Sequence, residues 1–178
     1  MQIPEVVIDR LPIYRGFLVR IKEEGRTVIS SHELGSELDV TPAQIRKDLS
    51  YFGRFGKQGK GYVVQDLLDE LENILGLDKQ WSVIVIGLGR LGRAVASYPG
   101  FKEEGFNITS CYDVSSEVIG TTINGIVVQS IEDLQNDLTK KHVDIGIITV
   151  SSEYAQNVAD LLIKGGVAAI LNYTPSRI

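Results

Sequence analysis

The chain has 178 residues, of which 43% are hydrophobic and 23% charged, and it carries a formal net charge of −5 at pH 7. This length suits one large or two small globular domains, and no apolar run approaches the roughly 18 residues of a membrane span. The single cysteine excludes an internal disulfide and a cysteine-rich metal site. We expect a cytoplasmic protein with no bound metal. We also expect no secretory signal and no membrane partner.

The first segment predicts helical structure. Apolar residues recur every three or four positions over residues 4–24, and Gly25 ends the pattern. Pro12 lies inside this segment, so we expect two helices rather than one. Three arginines, at positions 10, 15 and 20, fall on the polar side, where most such residues are solvated and some could reach phosphate.

Two helix-capping signatures follow in quick succession. Ser30 stands three residues before Glu33, and Thr41 stands three residues before Gln44 with proline at the first helical position. Only residues 39–40 separate the two predicted helices. Two short helices joined by so tight a turn form a helix-turn-helix.

The second of these helices, residues 41–50, is the predicted recognition helix. Its apolar residues can hold it to the core, which leaves a polar face available to DNA. Glutamine and arginine can hydrogen-bond base edges, and lysine suits phosphate. The candidate DNA contacts on this helix are Thr41, Gln44, Arg46, Lys47 and Ser50.

Residues 52–64 interleave four glycines, three basic residues and three aromatics. This composition is typical of a β-hairpin with a basic tip, a wing, whose cations can reach the DNA backbone or the minor groove. The candidate contacts are Arg54, Lys57 and Lys60. Residues 41–61 carry five basic residues against one acidic, whereas residues 62–178 carry eight against fifteen, so DNA binding is expected near this segment alone.

An amphipathic helix over residues 64–75 completes the first half and ends at Gly76. The polar stretch that follows is the expected domain junction. We therefore predict a winged-helix DNA-binding domain over residues 1–78 and a dinucleotide-binding domain over residues 79–178.

The second domain opens on a dinucleotide-binding pattern. Residues 83–86 are four consecutive β-branched residues, and they run into Gly-x-Gly-x-x-Gly and a helix-forming stretch. Gly87 permits the tight exit from the strand, Gly89 lets the backbone approach a pyrophosphate, and Gly92 lets the helix pack on the strand. A glycine pattern alone is weak evidence, but the required strand and helix flank it here.

Asp113 ends the next predicted strand, 21 residues past Gly92. This is the position of the acid that hydrogen-bonds an adenine-ribose hydroxyl in such folds. A carboxylate there repels a 2′-phosphate, so NAD is favoured over NADP. The alternative is a solvated residue at the end of a strand.

The alternation of strands and helices continues to the end of the chain. We predict strands over residues 125–128, 143–150 and 167–171, with helices over 130–140 and 152–164 between them. Near-continuous apolar strands separated by helices indicate an α/β fold with a Rossmann-like parallel sheet covered on both faces. Ligands bind beyond the carboxyl ends of such strands, which points also to Thr149, Val150, Ser151 and residues 172–173.

The combination resembles one known family. The residues that carry the likeness are Arg46-Lys47-Asp48-Leu49-Ser50-Tyr51-Phe52-Gly53, Phe55-Gly56 with Gly59-Lys60-Gly61-Tyr62, the glycine turn ending in Ala94-x-x-x-Tyr98-Pro99-Gly100-Phe101, Asp113-Val114, Thr149-Val150 and Ile170-Leu171-Asn172-Tyr173-x-Pro175. Together they span nearly the whole chain. They resemble the Rex family of redox-sensing transcriptional repressors.

The resemblance implies a homodimer that binds a near-palindromic operator when NADH is scarce and leaves it when NADH binds, with NADH and NAD as its cofactors. It implies that Gly87, Leu88, Gly89, Arg90, Leu91 and Gly92 hold the pyrophosphate, with Arg90 at the phosphates. It further implies that Asp113 holds ribose and that the nicotinamide lies near Tyr98 and Thr149. Family members continue for a few tens of residues into a helix that swaps between subunits, and that helix is expected to be absent from a chain that stops at Ile178.

Two other functions are compatible with parts of the chain. A small NAD-dependent dehydrogenase would share the glycine turn, but the two histidines, His32 and His142, do not lie near a strand's carboxyl end, so we expect no catalytic residue. A regulator that binds coenzyme A or another nucleotide would share the same strand-turn-helix. Asp113 argues weakly against coenzyme A, whose ribose carries a nearby phosphate.

Overall fold

A computed structural model describes residues 3–53, 55–56 and 60–178. The chain divides into two compact units, Met1–Asp78 and Lys79–Ile178. Within its described residues, no helix is both long enough and apolar enough to cross a bilayer.

The first unit is helical with a small sheet. Its elements are α1 (Glu5–Glu23), β1 (Val28–Ile29), α2 (Ser31–Leu38), α3 (Pro42–Ser50), β2 (Tyr62–Val63) and α4 (Val64–Leu75). One buried cluster takes side chains from all four helices, among them Tyr14, Leu34, Ile45 and Leu71. The helices α2 and α3 form the predicted helix-turn-helix.

The prediction that Pro12 divides the first helix is wrong, because α1 is a single helix of 19 residues. Proline removes one backbone hydrogen bond to the carbonyl four residues earlier, at Ile8. Both Pro12 and Ile8 are exposed, so water can satisfy that carbonyl. The buried stripe, which includes Leu11 and Leu18, continues past the proline and holds the helix together.

The two caps differ from each other. Ser30 accepts a hydrogen bond from the Glu33 N–H at 3.1 Å, and the Glu33 carboxylate accepts one from the Ser30 N–H at 2.9 Å, which completes a capping box. Thr41 accepts from the Gln44 N–H at 3.2 Å, but the Gln44 side chain bonds Asp48 instead of closing the box. The start of α3 therefore has half of the predicted motif.

The predicted wing hairpin differs in its pairing. Strand β2 pairs antiparallel with β1, Val28 opposite Val63 and Ile29 opposite Tyr62. The described residues before the basic tip, Gly53 and residues 55–56, are in no strand. The partner strand therefore comes from before the helix-turn-helix, because the glycines around position 56 leave no β-branched run to pair with β2.

The second unit is a Rossmann-like α/β fold, as predicted. Its strands are β3 (Trp81–Ile86), β4 (Phe106–Asp113), β5 (Thr122–Ile123), β6 (Ile126–Ser130), β7 (Ile145–Ile148) and β8 (Ala169–Asn172). They lie in the order β5-β6-β4-β3-β7-β8, and only the β5–β6 pair is antiparallel. The helices are α5 (Arg90–Ser97), α6 (Gly100–Glu103), α7 (Leu134–Leu138) and α8 (Ala155–Lys164), with single 3₁₀ turns before α7 and α8.

Both faces of this sheet are covered, which explains the continuous apolar strands. Along β3, Val83 and Val85 join Cys111 in a cluster under α5, whereas Ile84 and Ile86 join a cluster under α7 and α8. Two predicted elements were longer than the observed ones. Strand β7 covers residues 145–148 rather than 143–150, and helix α7 covers residues 134–138 rather than 130–140. Thr149 and Val150, which follow β7, line the cavity at the carboxyl end of the sheet instead of continuing the strand.

Candidate functional site

The glycine turn between β3 and α5 gives its three glycines different geometric roles. Gly87 has a φ of +94°, and a Cβ there would lie 2.8 Å from Val150 Cγ1. At Gly92 a Cβ would lie 1.8 Å from the Gly87 carbonyl oxygen, so only glycine allows α5 to approach the strand end. At Gly89 a Cβ would meet nothing within 4 Å, which leaves this part of the backbone open to a ligand.

The start of α5 presents backbone donors beside that opening. Gly89 is the N-cap and contributes no side-chain cap, and the first bond of the helix runs from the Arg93 N–H to the Gly89 carbonyl. The N–H groups of residues 90–92 precede that bond. Such unpaired donors, at the positive end of the helix dipole, suit a phosphate.

Asp113 is bound to the turn in the structure. Its Oδ2 accepts a hydrogen bond from the Leu88 N–H at 2.5 Å, and its Oδ1 accepts one from the Ser115 N–H at 2.8 Å. Each carboxylate oxygen has a second lone pair that can accept from a ribose hydroxyl. Leu88 itself is 1% exposed and packs in the core, and its N–H and carbonyl bond Asp113 and Arg93.

A cavity of about 420 Å³ lies at the carboxyl ends of β3, β4 and β7. From β3 the sheet continues to β4 on one side and to β7 on the other, so the cavity lies where the strand order reverses. Ligands bind at this point in open α/β sheets. Of the predicted residues it includes Gly87, Gly89, Asp113, Thr149, Val150 and Ser151. It adds residues that we had not predicted as contacts, including Val114, Ile131, Tyr154 and Asn157.

The sequence alone indicates only some of these added cavity residues. Val114 is 80% exposed directly after Asp113, an unusual place for an apolar side chain, and an apolar residue after the strand-end acid could have been noted. Tyr154 and Asn157 come from the start of α8, and only the fold brings them to β3. The cavity wall is mainly apolar, and its polar lining residues include Asp113, Thr149, Ser151 and Asn157.

Thr149 holds the two sides of the cavity together. Its hydroxyl lies 2.7 Å from the Gly87 carbonyl and 3.0 Å from the Ile86 carbonyl, to which it donates. The end of β7 is thereby fastened to the glycine turn. This hydroxyl keeps its lone pairs for a ligand, but its proton is used within the protein.

Five predicted contacts do not line this cavity; they are Leu88, Arg90, Leu91, Gly92 and Tyr98. Arg90 and Leu91 are exposed on the first turn of α5, and neither lines the cavity. Tyr98 is 61% exposed and packs edge-on against Phe101 at 5.8 Å between ring centroids. It borders a different cavity with Phe106, the first residue of β4. The eight residues of α5 span about 12 Å from the glycine turn, and Tyr98 and Thr149 line different cavities. That the nicotinamide lies near both residues stays a prediction.

The recognition helix α3 exposes most of its predicted contacts. Thr41, Arg46, Lys47 and Ser50 are all exposed. The Arg46 guanidinium donates to Ser31 Oγ at 2.8 Å, and the Ser50 hydroxyl donates to the Lys47 carbonyl at 2.7 Å. Lys60 is also exposed, whereas the predicted contacts Arg54 and Lys57 lie outside the described residues.

Gln44 does not stand free on this face. It is half-buried, and its Nε2 donates to Asp48 Oδ1 at 2.7 Å. Asp48 is fully buried, and its carboxylate also accepts bonds from Arg10 at 2.6 and 2.8 Å and from the Tyr14 hydroxyl at 2.7 Å. Sequence reasoning missed Asp48, because its partners on α1 lie 34 and 38 positions away.

These contacts control the ionisation of Asp48. Burial acts to raise the pKa of its carboxyl, but hydrogen bonds from Arg10, Tyr14 and Gln44 outweigh it and hold the pKa below the ordinary value. Burial and the hydrogen bond to Asp48 raise the pKa of Tyr14. At neutral pH Asp48 therefore remains a carboxylate that accepts hydrogen bonds from three residues.

The other two arginines of α1 also form ion pairs. Arg15 lies 3.1 Å from Glu72 of α4, and Arg20 lies 3.7 Å from Glu37 of α2. Arg10 pairs with α3 in the same way, so α2, α3 and α4 each form one ion pair with an arginine of α1. Arg10 and Arg15 are therefore partly buried in ion pairs, whereas Arg20 remains mostly solvated, as expected.

A helix-turn-helix unit with an exposed basic helix and a Rossmann unit with a nucleotide-type turn define a class: DNA-binding regulators that respond to a nucleotide. Two family models match, one described as a CoA binding domain over residues 78–176 and one as a “Putative DNA-binding protein N-terminus” over residues 2–50.

Named relatives narrow the class. The chain is 49% identical to the redox-sensing transcriptional repressor Rex of Roseiflexus sp. (strain RS-1), over 97% of this chain and 79% of that protein. It is 47% identical to Rex of Syntrophomonas wolfei subsp. wolfei (strain DSM 2245B / Goettingen), over 98% and 83%. The chain belongs to the Rex family of redox-sensing transcriptional repressors, which confirms the resemblance.

Solved structures agree with this assignment. RSP, a Rex-family repressor, superposes with a TM-score of 0.94 at 36% identity, over 100% of this chain and 83% of that one. The crystal structure of RSP with β-NAD⁺ and operator DNA gives a TM-score of 0.97 at 38% identity, over 100% and 82%. The structure of RSP with β-NADH gives 0.92 at 36% identity, over 100% and 83%.

Proposed function

We propose that this chain represses transcription by binding operator DNA when NADH is scarce and leaving it when NADH binds. The observation that carries the proposal is the cavity at the glycine turn, with Asp113 on its wall, in a chain that matches a repressor solved with NADH, with NAD⁺ and with operator DNA. In this proposal residues 79–178 bind the dinucleotide and residues 1–78 bind DNA.

The glycine turn has the geometry to hold the pyrophosphate. Gly89 leaves room for close approach, and the N–H groups at the start of α5 supply donors. Arg90 is exposed beside them and would meet phosphate only from the outer side. Asp113, bonded to the turn through Leu88, can accept from the adenine ribose and repels a 2′-phosphate.

The apolar remainder of the cavity can distinguish the two redox forms. An oxidised nicotinamide ring carries a positive charge and a reduced ring does not, so burial against apolar walls favours the reduced ring. Val150 and Tyr154 supply such walls on the β7 side of the turn. The lone cysteine, Cys111, is unsuited to sensing because it is fully buried, and burial raises the pKa of its thiol to about 11.

The first unit would place α3 in the major groove. Arg46 and Lys47 present cations on its exposed face, Thr41 and Ser50 present hydroxyls at its two ends, and Lys60 lies near the basic tip. A near-palindromic operator requires two copies of α3 related by a two-fold axis, so the binding species is a homodimer. We place this activity in the cytoplasm, where bacterial DNA and NADH are both found, and assign no enzymatic reaction.

Coenzyme A is the second candidate ligand, because the matched family model is described as a CoA binding domain. Both molecules contain an ADP group that the glycine turn could hold. They differ at the ribose, where a 3′-phosphate of coenzyme A would approach the Asp113 carboxylate.

Calorimetric titration with NADH, NAD⁺ and coenzyme A separates these functions. We expect NADH to bind at least tenfold more tightly than NAD⁺, and coenzyme A to bind weakly. Anisotropy of labelled operator DNA should then fall when NADH is added. Equal, weak binding of NADH and NAD⁺, or tight binding of coenzyme A alone, would contradict the proposal.

A further inference from the structure

The Gln44 amide on the recognition helix is held in place by a buried carboxylate of the same helix. Its Nε2 donates to Asp48 Oδ1 at 2.7 Å. Among the residues that the structure describes, none donates a hydrogen bond to its Oε1. Gln44 is the third residue of α3, and the first turn of a recognition helix is the part that meets base edges.

Asp48 allows only one orientation of this amide. A carboxylate can only accept hydrogen bonds, so it must face the NH₂ of Gln44 and not the carbonyl oxygen. Asp48 cannot turn away, because Arg10 binds both of its oxygens and Tyr14 donates to Oδ2. Asparagine and glutamine amides are generally oriented by such networks.

The consequence lies on the outer face of α3. One N–H of the Gln44 amide is committed to Asp48, and this bond directs the Gln44 oxygen away from the buried carboxylate. Its neighbours on the helix surface, Ala43 and Lys47, are exposed. The helix therefore offers a fixed hydrogen-bond acceptor rather than an amide that is free to rotate.

We propose that Asp48 is a positioning residue that fixes Gln44 as an acceptor and thereby selects, at one operator position, a base that presents an exocyclic amine in the major groove. This inference rests on the proposed function, because it requires α3 to enter that groove. The bases selected are adenine through N6–H₂ or cytosine through N4–H₂. Guanine and thymine present O6 and O4, which are acceptors and would repel the Gln44 oxygen.

The first experiment identifies the position. The full-length chain is used to select duplexes from a randomised DNA pool, and each base of the selected half-site is then changed in turn. One position should prefer adenine or cytosine over guanine or thymine by about tenfold. Deleting the single amino group, with purine in place of adenine or 2-pyrimidinone in place of cytosine, should remove that preference.

The variants then test Asp48. In Asp48→Asn the introduced amide can face Gln44 with its own NH₂, so the Gln44 amide can rotate and present its NH₂ to the DNA. The preference at that one position should fall about tenfold or reverse towards guanine or thymine, with other positions unchanged. Adding Gln44→Glu to Asp48→Asn restores an oxygen acceptor at this position and should restore the preference, although the added negative charge lowers overall affinity.

Two controls separate specificity from stability. Glu72→Gln breaks the Arg15 ion pair, which joins α1 to α4 without touching α3, and should leave every base preference unchanged. Gln44→Met removes the amide and keeps the Arg10 and Tyr14 bonds to Asp48, so it should abolish the preference even if Asp48→Asn fails to fold.

The outcomes distinguish the two proposals. If the wild-type chain selects no DNA, the proposed function and this inference both fail. If it selects an operator but folded Asp48→Asn, or Gln44→Met, retains the full preference at every position, this inference alone is overturned.

Discussion

Gly89 and Gly92 lie three residues apart in one turn, yet a methyl group added to each meets different surroundings. We expect Gly92→Ala to lower the free energy of unfolding by about 1 to 3 kcal/mol, because its Cβ would overlap the Gly87 carbonyl and force α5 away from β3. Gly89→Ala should change that free energy by less than about 1 kcal/mol, since its Cβ meets open space. Urea unfolding of both variants measures the difference.

The same pair separates folding from ligand binding. A Cβ at Gly89 points into the space proposed for the pyrophosphate, so NADH affinity should fall at least tenfold in a variant that is fully folded. Unchanged NADH affinity in Gly89→Ala would contradict the proposed position of the phosphates.

Asp48 predicts a specific dependence of stability on acid. Its pKa is lowered in the folded chain, so its stabilising contribution is complete above the unfolded value of roughly 4 and is lost as the pH falls through the folded value. At pH 7 we expect Asp48→Asn to cost about 2 kcal/mol. The difference between wild type and variant should shrink as the pH is lowered from about 5 towards 2.

Tyr14→Phe is the companion variant for this measurement. It removes one donor to Asp48 but keeps the carboxylate and its Arg10 pair. It should lower stability and retain the loss of stability in acid. If the Asp48→Asn difference were the same at pH 7 and pH 2, the network would not be the source of the effect.

At the scale of elements, local signals were predictable and tertiary contacts were not. The glycine turn, the caps and the helix-turn-helix depend on neighbours within a few residues, and each was visible in the sequence. Asp48 binds a helix that begins more than 35 positions earlier, and its burial depends on how α1 packs. Tyr98 and the glycine turn are both among the residues that carry the family resemblance. Helix α5 separates them, however, and Tyr98 lines a different cavity.

The helix α1 shows how packing changes a local rule. Proline predicts a break, but the apolar stripe on either side of Pro12 is buried without interruption. Ion pairs between exposed groups are worth about 0 to 1 kcal/mol each, so the Arg20–Glu37 pair orients its helices more than it stabilises them. The core, rather than the proline, decides the length of this helix.

The capping box of α2 gives a prediction for a single element. Ser30→Ala removes the acceptor for the Glu33 N–H, and we expect a loss of about 1 kcal/mol in the free energy of unfolding. Ser36→Ala is the matched control, because it makes the same change at an exposed position inside α2. It should be neutral or slightly stabilising, and an equal loss in both variants would refute the capping explanation.

For the whole molecule, the division between the two units can be tested through salt. Each phosphate contact contributes about 0.9 to the slope of log K against log salt, so Lys47→Ala should reduce that slope by about that amount. Lys140→Ala removes an equally exposed lysine from the second unit and should leave the slope unchanged. Equal effects of the two substitutions would contradict the assignment of DNA binding to the first unit.

The buried thiol in the centre of the sheet gives the protein an internal reporter. Cys111 is fully buried, and it is the single cysteine of the chain, so a thiol reagent can react only when the second unit opens. The labelling rate therefore counts opening events without any substitution. A ligand that binds only the closed unit lowers that rate in proportion to its occupancy. Labelling in the presence of NADH or NAD⁺ would compare the two affinities in the absence of DNA.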